Sequence, residues 1–176
     1  MNFIIRQERI ADYKSVFQLL ERAFENDLHS DHSEQFLVER LRKSSSFIPE
    51  LSLVAEIQGI VIGHILLTPI KIKDDQNEFE SLALAPVSVL PEYQNKGIGG
   101  QLIIKAHERA RELGFRSVAL IGHESYYPRF GYEPAVKFGI KFPFDVPVEN
   151  CMVVELVPKG LDRVKGMVEY PKEFFE

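Results

Sequence analysis

Apolar residues along this chain recur with two different periods, and the order of the two predicts a mixed α/β domain. Asn2 to Arg6 reads as a first strand. Val16, Phe17, Leu20 and Phe24 then recur at helical spacing behind Asp12, a residue type suited to capping a helix start. Glu25 to Asp31 is polar, contains Asn26, Asp27, His29 and Asp31, and reads as a loop. Ser33 is expected to cap a second helix that puts Leu37, Val38 and Leu41 on one face. Leu51 to Glu56 and Ile60 to Thr68 flank Gln58-Gly59, the pattern of a hairpin. Asp74-Asp75-Gln76-Asn77 makes a further turn, followed by an apolar strand that runs from Leu82 to Leu90. IGGQLIIKAHERARELG predicts a long helix, and SVALI, Ser117 to Ile121, a buried strand. Two more strands are predicted around Lys137 to Lys141 and Cys151 to Val157.

The junction between the strand ending at Leu90 and the long helix carries the chemistry. Gln94-Asn95-Lys96-Gly97-Ile98-Gly99 leads straight into the helical pattern. The first N–H groups of a helix have no partner within it, and its dipole adds partial positive charge there. Such a start holds a phosphate or pyrophosphate through main-chain groups alone. Glycine at 97 and 99 allows backbone conformations and a closeness of approach that a Cβ would block. The spacing excludes two common phosphate loops. No G-x-x-x-x-G-K-[ST] occurs, and Leu102 stands where the dinucleotide fingerprint G-x-G-x-x-G needs its third glycine.

Composition narrows the field further. With 176 residues, the chain is long enough for one well-buried core and short for two domains, so residues 1–176 are expected to form a single domain. A hydrophobic share of 45% against 27% charged is that of an ordinary globular protein. The net charge of −5 argues against a nucleic-acid partner, which calls for a basic face. The one cysteine, Cys151, rules out an internal disulfide framework and sits in the apolar run CMVVELV as a buried strand residue. No apolar run approaches membrane-spanning length, and MNFIIRQERI lacks the apolar stretch of a secretory signal. A cytoplasmic protein without a membrane partner is the expectation.

A second segment, some thirty residues past the glycine loop, identifies a family. Tyr127-x-Arg129-Phe130-Gly131-Tyr132 follows the strand 117–121 and resembles the short helix and turn that GNAT superfamily N-acetyltransferases carry after their fifth strand. Gln94-x-x-Gly97-x-Gly99 is similar to the acetyl-CoA pyrophosphate loop of the same superfamily. Two motifs in the right order are far more specific than either alone, and the subgroup resembled is that of YhbS-type bacterial acetyltransferases. The resemblance implies a central mixed, mostly antiparallel, twisted sheet, splayed between strands four and five and flanked by helices. It implies acetyl-CoA as co-substrate, no metal, an amine acceptor, and a monomer or homodimer. Along the fourth strand, Val87, Ser88 and Val89 are then expected to meet the pantetheine arm, with main-chain groups of Val87 and Val89 bonding it. Gln94, Asn95, Lys96, Gly97, Ile98, Gly99 and Gly100 are expected to hold the pyrophosphate.

Physical chemistry supports that layout. A strand that leaves its neighbour exposes main-chain N–H and C=O groups, which the amides of a long thin ligand can take as an added strand would. Pro86 has no N–H and interrupts the ladder, which fits a bulge or splay within 82–90. Acyl transfer needs the thioester carbonyl polarised, and the Val87 N–H is a candidate donor. It also needs a proton for the leaving thiolate. A phenol of pKa roughly 10 is protonated at neutral pH and can serve a thiol of roughly 8.5. By resemblance Tyr127 has this role as general acid, the alternative being a structural tyrosine packed on the pantetheine; Tyr126 points elsewhere, and Arg129 ties the short helix to nearby carboxylates or carbonyls.

One requirement lacks an evident residue. Many GNAT enzymes place a glutamate on the fourth strand to deprotonate the acceptor, yet Ser81 to Leu90 holds no ionisable side chain. His123, Glu124 and, at the strand's start, Glu80 remain as candidate bases, His123 having the best-placed pKa at roughly 6.5. The resemblance implies that the loop Glu25 to Asp31 borders the acceptor, and its acids leave two readings: attraction of an amine, or a solvated link between the first two helices. The reading is an acetyl-CoA-dependent N-acetyltransferase that acts by direct transfer on a primary amine of a small molecule or peptide. The alternative is a catalytically idle acyl-CoA-binding sensor or interaction protein on the same fold.

Overall fold

Nine strands form one sheet, and three helices cover its faces. The computed structural model describes residues 1–176. The strands are β1 (Ile4–Gln7), β2 (Ser52–Ile57), β3 (Ile60–Lys73), β4 (Glu78–Val89), β5 (Ser117–Ile121), β6 (Glu133–Pro134), β7 (Ile140–Lys141), β8 (Cys151–Glu155) and β9 (Gly166–Glu169). The helices are α1 (Tyr13–Phe24), α2 (Glu34–Arg42) and α3 (Ile98–Glu112). The main path runs β1-β2-β3-β4-β5-β8-β6, while β9 joins β3 to β7. Every pairing is antiparallel except β4–β5 and β7–β9. This is the mixed α/β fold expected from the motifs.

The helices take opposite faces for reasons visible on β3. Gly63 faces α3, where a Cβ would stand 3.0 Å from Leu102 Cδ1 and 3.3 Å from Ile98 Cγ2. Only a residue without a side chain lets α3 lie this close to the strand. His64, the next residue, therefore points to the other face, where α2 meets it through Arg42 and Glu8. The main apolar core joins both layers, with Val16 and Leu20 of α1, Val38 and Leu41 of α2 and Leu102, Ile103 and Ala106 of α3. Cys151 is buried on β8, as the sequence implied.

The splay is real and local. β4 pairs with β5 only at Leu82–Val118 and Ala83–Ala119. Beyond Ala83 the β5-facing edge of β4 is unpaired, while its other edge stays on β3 as far as Val89. Opposite Pro86 the register slips, Ile65 facing Val87 but Leu67 facing Leu84, so β4 carries one extra residue there. A proline that cannot donate sits inside that bulge.

Several expectations need correction. Asp12 precedes α1 but does not cap it; its carboxylate instead takes the two terminal nitrogens of the Arg6 guanidinium, at 2.7 and 2.9 Å, and the Arg9 N–H. The charge-assisted pair outcompetes the cap, and Arg6 holds the Asp12 carboxyl below its usual range. Ser33 likewise makes no cap bond, because its hydroxyl goes to Asp31 at 2.6 Å. Lys137 to Lys141 is only partly strand: a 3-10 turn covers Ala135–Phe138 and β7 just Ile140–Lys141. β3 extends five residues past Thr68 to Lys73, since the hairpin continues as the partner of the early part of β4.

Candidate active site

The glycine loop and the open edge of β4 meet at the start of α3. Gly97 occupies the N-cap position with φ of 83°, in the left-handed region, and nothing lies within 4 Å of a Cβ placed there. Asn95 is also left-handed, with φ of 61°. The first bond of the helix runs from Gln101 N–H to the Gly97 carbonyl, 3.1 Å. The N–H groups of Ile98, Gly99 and Gly100 precede it and point out of the helix end. Lys96 leans back over Tyr93, with its ammonium 3.0 Å from the Glu92 carbonyl.

Val87 and Val89 present their main chain to the open edge, and Ser88 does not. Leu90 N–H donates to Ile62 O at 2.9 Å, and antiparallel bonding alternates along a strand. His64 and Ser88 thus form a bonded pair, consistent with Ser88 O lying 3.3 Å from the Cβ position of Gly63 on β3. Val87 and Val89 therefore turn their N–H and C=O away from β3. The Val89 oxygen is met there by the Gln94 side-chain amide at 3.0 Å. Ser88 is turned inward, its hydroxyl sealed from solvent without a partner.

The aromatic segment after β5 closes on the same spot. Tyr126, Tyr127 and Phe130 pack edge to face, with Tyr126 5.1 Å from Tyr127 and 5.4 Å from Phe130 between ring centroids. Phe130 lies over Gly100, and the Tyr126 hydroxyl is 3.6 Å from the Cβ position of Gly99. Tyr126 therefore faces the start of α3, not away from it as helical spacing from Tyr127 implies. Here the α-helix is replaced by a 3-10 turn, Tyr127–Phe130, with Tyr126 as its N-cap. The legible signal was the pair of glycines at 99 and 100, small enough to receive two aromatic rings.

Tyr127 crosses the end of β5 against Gly122, where a Cβ would clash with its ring. Its far side meets Tyr132 at 5.7 Å, and Tyr132 hydrogen-bonds His107 at 2.8 Å. Burial pushes the Tyr127 phenol up to about 12. Its hydroxyl is not among the sealed, unpartnered atoms of the chain. Arg129 ties the turn together as expected, bonding the Tyr126 carbonyl at 2.9 Å and stacking on the Tyr126 ring.

The candidate bases are dispersed. His123 and Glu124 are exposed just past β5, and the His123 ring meets His29 of the α1–α2 loop edge to face, 6.1 Å between centroids. The structure thus brings the first loop and the end of β5 together at one mouth. Glu80 lies elsewhere. It faces Lys71 on β3 and lines a cavity of about 340 Å³ with Phe115 and Tyr170, beyond the paired stretch Leu82–Ala83. Asp27 and Asp31 of the loop are occupied in local turns. Asp27 accepts the His29 N–H at 2.8 Å, and Asp31 accepts both the N–H and the hydroxyl of Ser33.

A diverging strand pair, a glycine-lined helix start beside it and an aromatic cluster over both thus meet in one place. The family model of the acetyltransferase (GNAT) domain matches residues 4–135, and the chain belongs to that family, as an N-acetyltransferase. It is 37% identical over 141 residues to the uncharacterized N-acetyltransferase YjhQ of Escherichia coli, covering 80% of this chain and 75% of YjhQ. It is 29% identical over 172 residues to the uncharacterized N-acetyltransferase YhbS of the same organism, covering 97% and 98%. The crystal structure of Escherichia coli YhbS in complex with CoA superposes with a TM-score of 0.90 at 27% identity, covering all of this chain and 93% of that one. A GNAT family acetyltransferase from Brucella melitensis, in complex with acetyl-CoA, gives a TM-score of 0.81 at 33% identity and 98% coverage of both. No helix of the chain is long and apolar enough to cross a membrane.

Proposed function

We propose that this chain binds acetyl-CoA along the open edge of β4 and transfers the acetyl group directly to a primary amine of a small molecule or peptide. The observation that carries the reading is the convergence of unpaired main-chain groups. The start of α3, with the free N–H groups of Ile98, Gly99 and Gly100, lies against the end of that edge, the Cβ position of Gly99 being 3.7 Å from Val89 Cγ2. The complexes of YhbS with CoA and of the Brucella melitensis protein with acetyl-CoA support the choice of ligand. In this reading the helix start takes the pyrophosphate. The pantetheine amides pair with Val89 and Val87 as an added strand. The acetyl carbonyl accepts the Val87 N–H, which stabilises the negative oxygen that develops when nitrogen attacks.

Attack forms the C–N bond, and collapse of the tetrahedral species breaks C–S. Tyr127 is the donor assigned to the departing sulfur. A phenol raised to about 12 does not hand its proton fully to a thiolate whose conjugate acid lies near roughly 8.5. It stabilises the sulfur by hydrogen bonding, and the proton shed by the new amide nitrogen completes the thiol. Tyr126, at the rim of the helix start, contributes to holding the cofactor. His123 and Glu124 stand at the acceptor mouth with His29 rather than at the reacting carbon.

The test is a screen of primary amines with acetyl-CoA, read by release of free CoA. Acetylation of any amine well above the uncatalysed rate supports the reading. Tight acetyl-CoA binding with no acceptor turned over would favour the idle sensor, which the lack of an ionisable side chain on the splayed part of β4 also favours.

A further inference from the structure

The tyrosine assigned to the departing sulfur is held between the rings of its neighbours, and one of those rings is tied to α3. Tyr126 meets the Tyr127 ring edge to face at 5.1 Å between centroids, and Tyr132 meets it the same way at 5.7 Å. Gly122, where a Cβ would clash with the ring, closes a third side. Gly131, with φ of 92°, ends the 3-10 turn and sends the chain back so that Tyr132 returns to Tyr127.

Tyr132 is the fixed member of this set. It is 2% exposed, within the main core, and its hydroxyl lies 2.8 Å from His107 Nε2. His107 is itself buried and stands on α3, about two and a half turns beyond Ile98. A buried hydroxyl needs an acceptor for its one proton. The imidazole supplies it, because burial, with Arg111 acting in the same direction, lowers His107 to about 4 and keeps the ring neutral. Tyr132 O–H therefore donates to Nε2. A ring pinned at its hydroxyl inside a close-packed core cannot slide or turn away from the ring that rests on it. Tyr126, by contrast, lies at the rim under the exposed guanidinium of Arg129.

We propose that His107 and Tyr132 are positioning residues for acyl transfer: Tyr132, pinned to α3 by His107, sets where the Tyr127 hydroxyl meets the sulfur of CoA. The proposal rests on the reading of Tyr127 as the hydrogen-bond donor to that sulfur. Both residues are too enclosed to touch the cofactor. No proton passes between them and Tyr127, since Tyr127 and Tyr132 meet ring to ring. The helix that fixes Tyr132 is also the one whose first turn takes the pyrophosphate in the proposed complex, so both ends of the cofactor are referred to one rigid element. Hydrogen-bond strength falls steeply with misalignment. A Tyr127 free to shift therefore gives the sulfur less stabilisation.

Titration of the thiol of bound CoA tests this without an acceptor. A donor aimed at the sulfur stabilises the thiolate, so bound CoA ionises below the roughly 8.5 of a free thiol. The far-ultraviolet absorbance of the thiolate, taken as the difference from the protein without CoA, is followed against pH. Wild type, Tyr127→Phe, Tyr132→Phe and the variant carrying both changes are compared. Tyr127→Phe is expected to raise the bound thiol by about one pH unit, the scale of a hydrogen bond to a charged group. Tyr132→Phe keeps the ring but loses the tie to His107, and is expected to give at least about half that rise. In the Tyr127→Phe background the same change adds nothing. CoA affinity at pH 7, measured by calorimetry, stays unchanged throughout. Pairing Tyr132→Phe with His107→Leu leaves no orphaned acceptor in the core, and is expected to give the same rise where Tyr132→Phe alone is unstable. A thiol that ionises as in wild type in both of these variants overturns the proposal while Tyr127 keeps its role. A rise that persists in full without the Tyr127 hydroxyl also overturns it, since Tyr132 then acts on the sulfur by another route. An unchanged thiol in Tyr127→Phe refutes the donor reading itself, and the proposal with it.

Discussion

The side-chain amide of Gln94 donates to the main-chain oxygen of Val89 at 3.0 Å, so the first residue of the glycine loop is tied to the edge that the cofactor arm would line. That bond orders the loop before any ligand arrives, which reduces the entropy lost on binding. Gln94→Ala is expected to weaken acetyl-CoA binding about fivefold, within the range of one net hydrogen bond. Titration calorimetry checks it. Tighter binding in the variant would mean that the amide competes with the cofactor for Val89.

Tyr127 and Tyr126 are expected to separate kinetically. Tyr127→Phe removes the hydrogen bond to the departing sulfur and should lower kcat about a hundredfold, the scale of losing one donor to developing negative charge, with little change in acetyl-CoA affinity. Tyr126→Phe removes a hydroxyl beside Gly99 and should act mainly on acetyl-CoA affinity. Steady-state kinetics on one confirmed acceptor, with affinities measured separately, distinguish the two. A Tyr127→Phe enzyme with near-normal kcat would leave that residue a packing role.

Neither His123 nor Glu124 is enclosed with the reacting centre, and the splayed part of β4 has no carboxylate. The amine must then arrive neutral or lose its proton to water. A profile of kcat/KM against pH should rise into the alkaline range, since the neutral fraction of an amine of pKa roughly 10.4 grows tenfold per pH unit below it. His123→Ala and Glu124→Ala should each cost far less than Tyr127→Phe. A neutral-range inflection that vanishes in one of them, with a hundredfold loss, would identify a dedicated base.

The buried histidines set an acid limit on stability. Desolvation lowers both His64 and His107 to about 4, against roughly 6.5 in the unfolded chain. Above pH 6.5 both states are neutral and the stability is complete. As pH falls from 6.5 toward 4 the unfolded chain binds protons that the native state refuses, and stability is lost, on the order of 3 kcal/mol per histidine. Urea midpoints at pH 7.5, 5.5 and 4.5 measure the decline. His107→Gln should make it shallower, and a midpoint constant across that range would contradict the burial account.

The parts of the site built from consecutive residues were legible in the sequence. Gln94 to Gly100 and Tyr127 to Tyr132 each encode a local backbone shape, and Pro86 marked the bulge because a missing N–H acts wherever it stands. Residues whose role depends on distant partners were not legible. Asp12 looked like a cap because nothing local shows that Arg6 and Glu56 compete for the same region. His107 and Tyr132 meet only through the packing of α3 against the segment after β5, and β6 and β9 are two and four residues long, too short for any period to show. Helical spacing points Tyr126 away from α3, where the chain makes a 3-10 turn instead.

The claim on which the rest depends is that acetyl-CoA binds at the start of α3. Calorimetric titration of acetyl-CoA into wild type and into the Gly97→Val, Gly99→Val double variant tests it most directly. Valine at 97 is strained at φ of 83°, and at 99 it adds bulk 3.6 Å from the Tyr126 hydroxyl, where the cofactor approaches. Binding to wild type and at least a tenfold loss in a folded double variant, about 1.4 kcal/mol, is the predicted result. Unchanged affinity in a variant with a native circular dichroism spectrum would contradict the assignment.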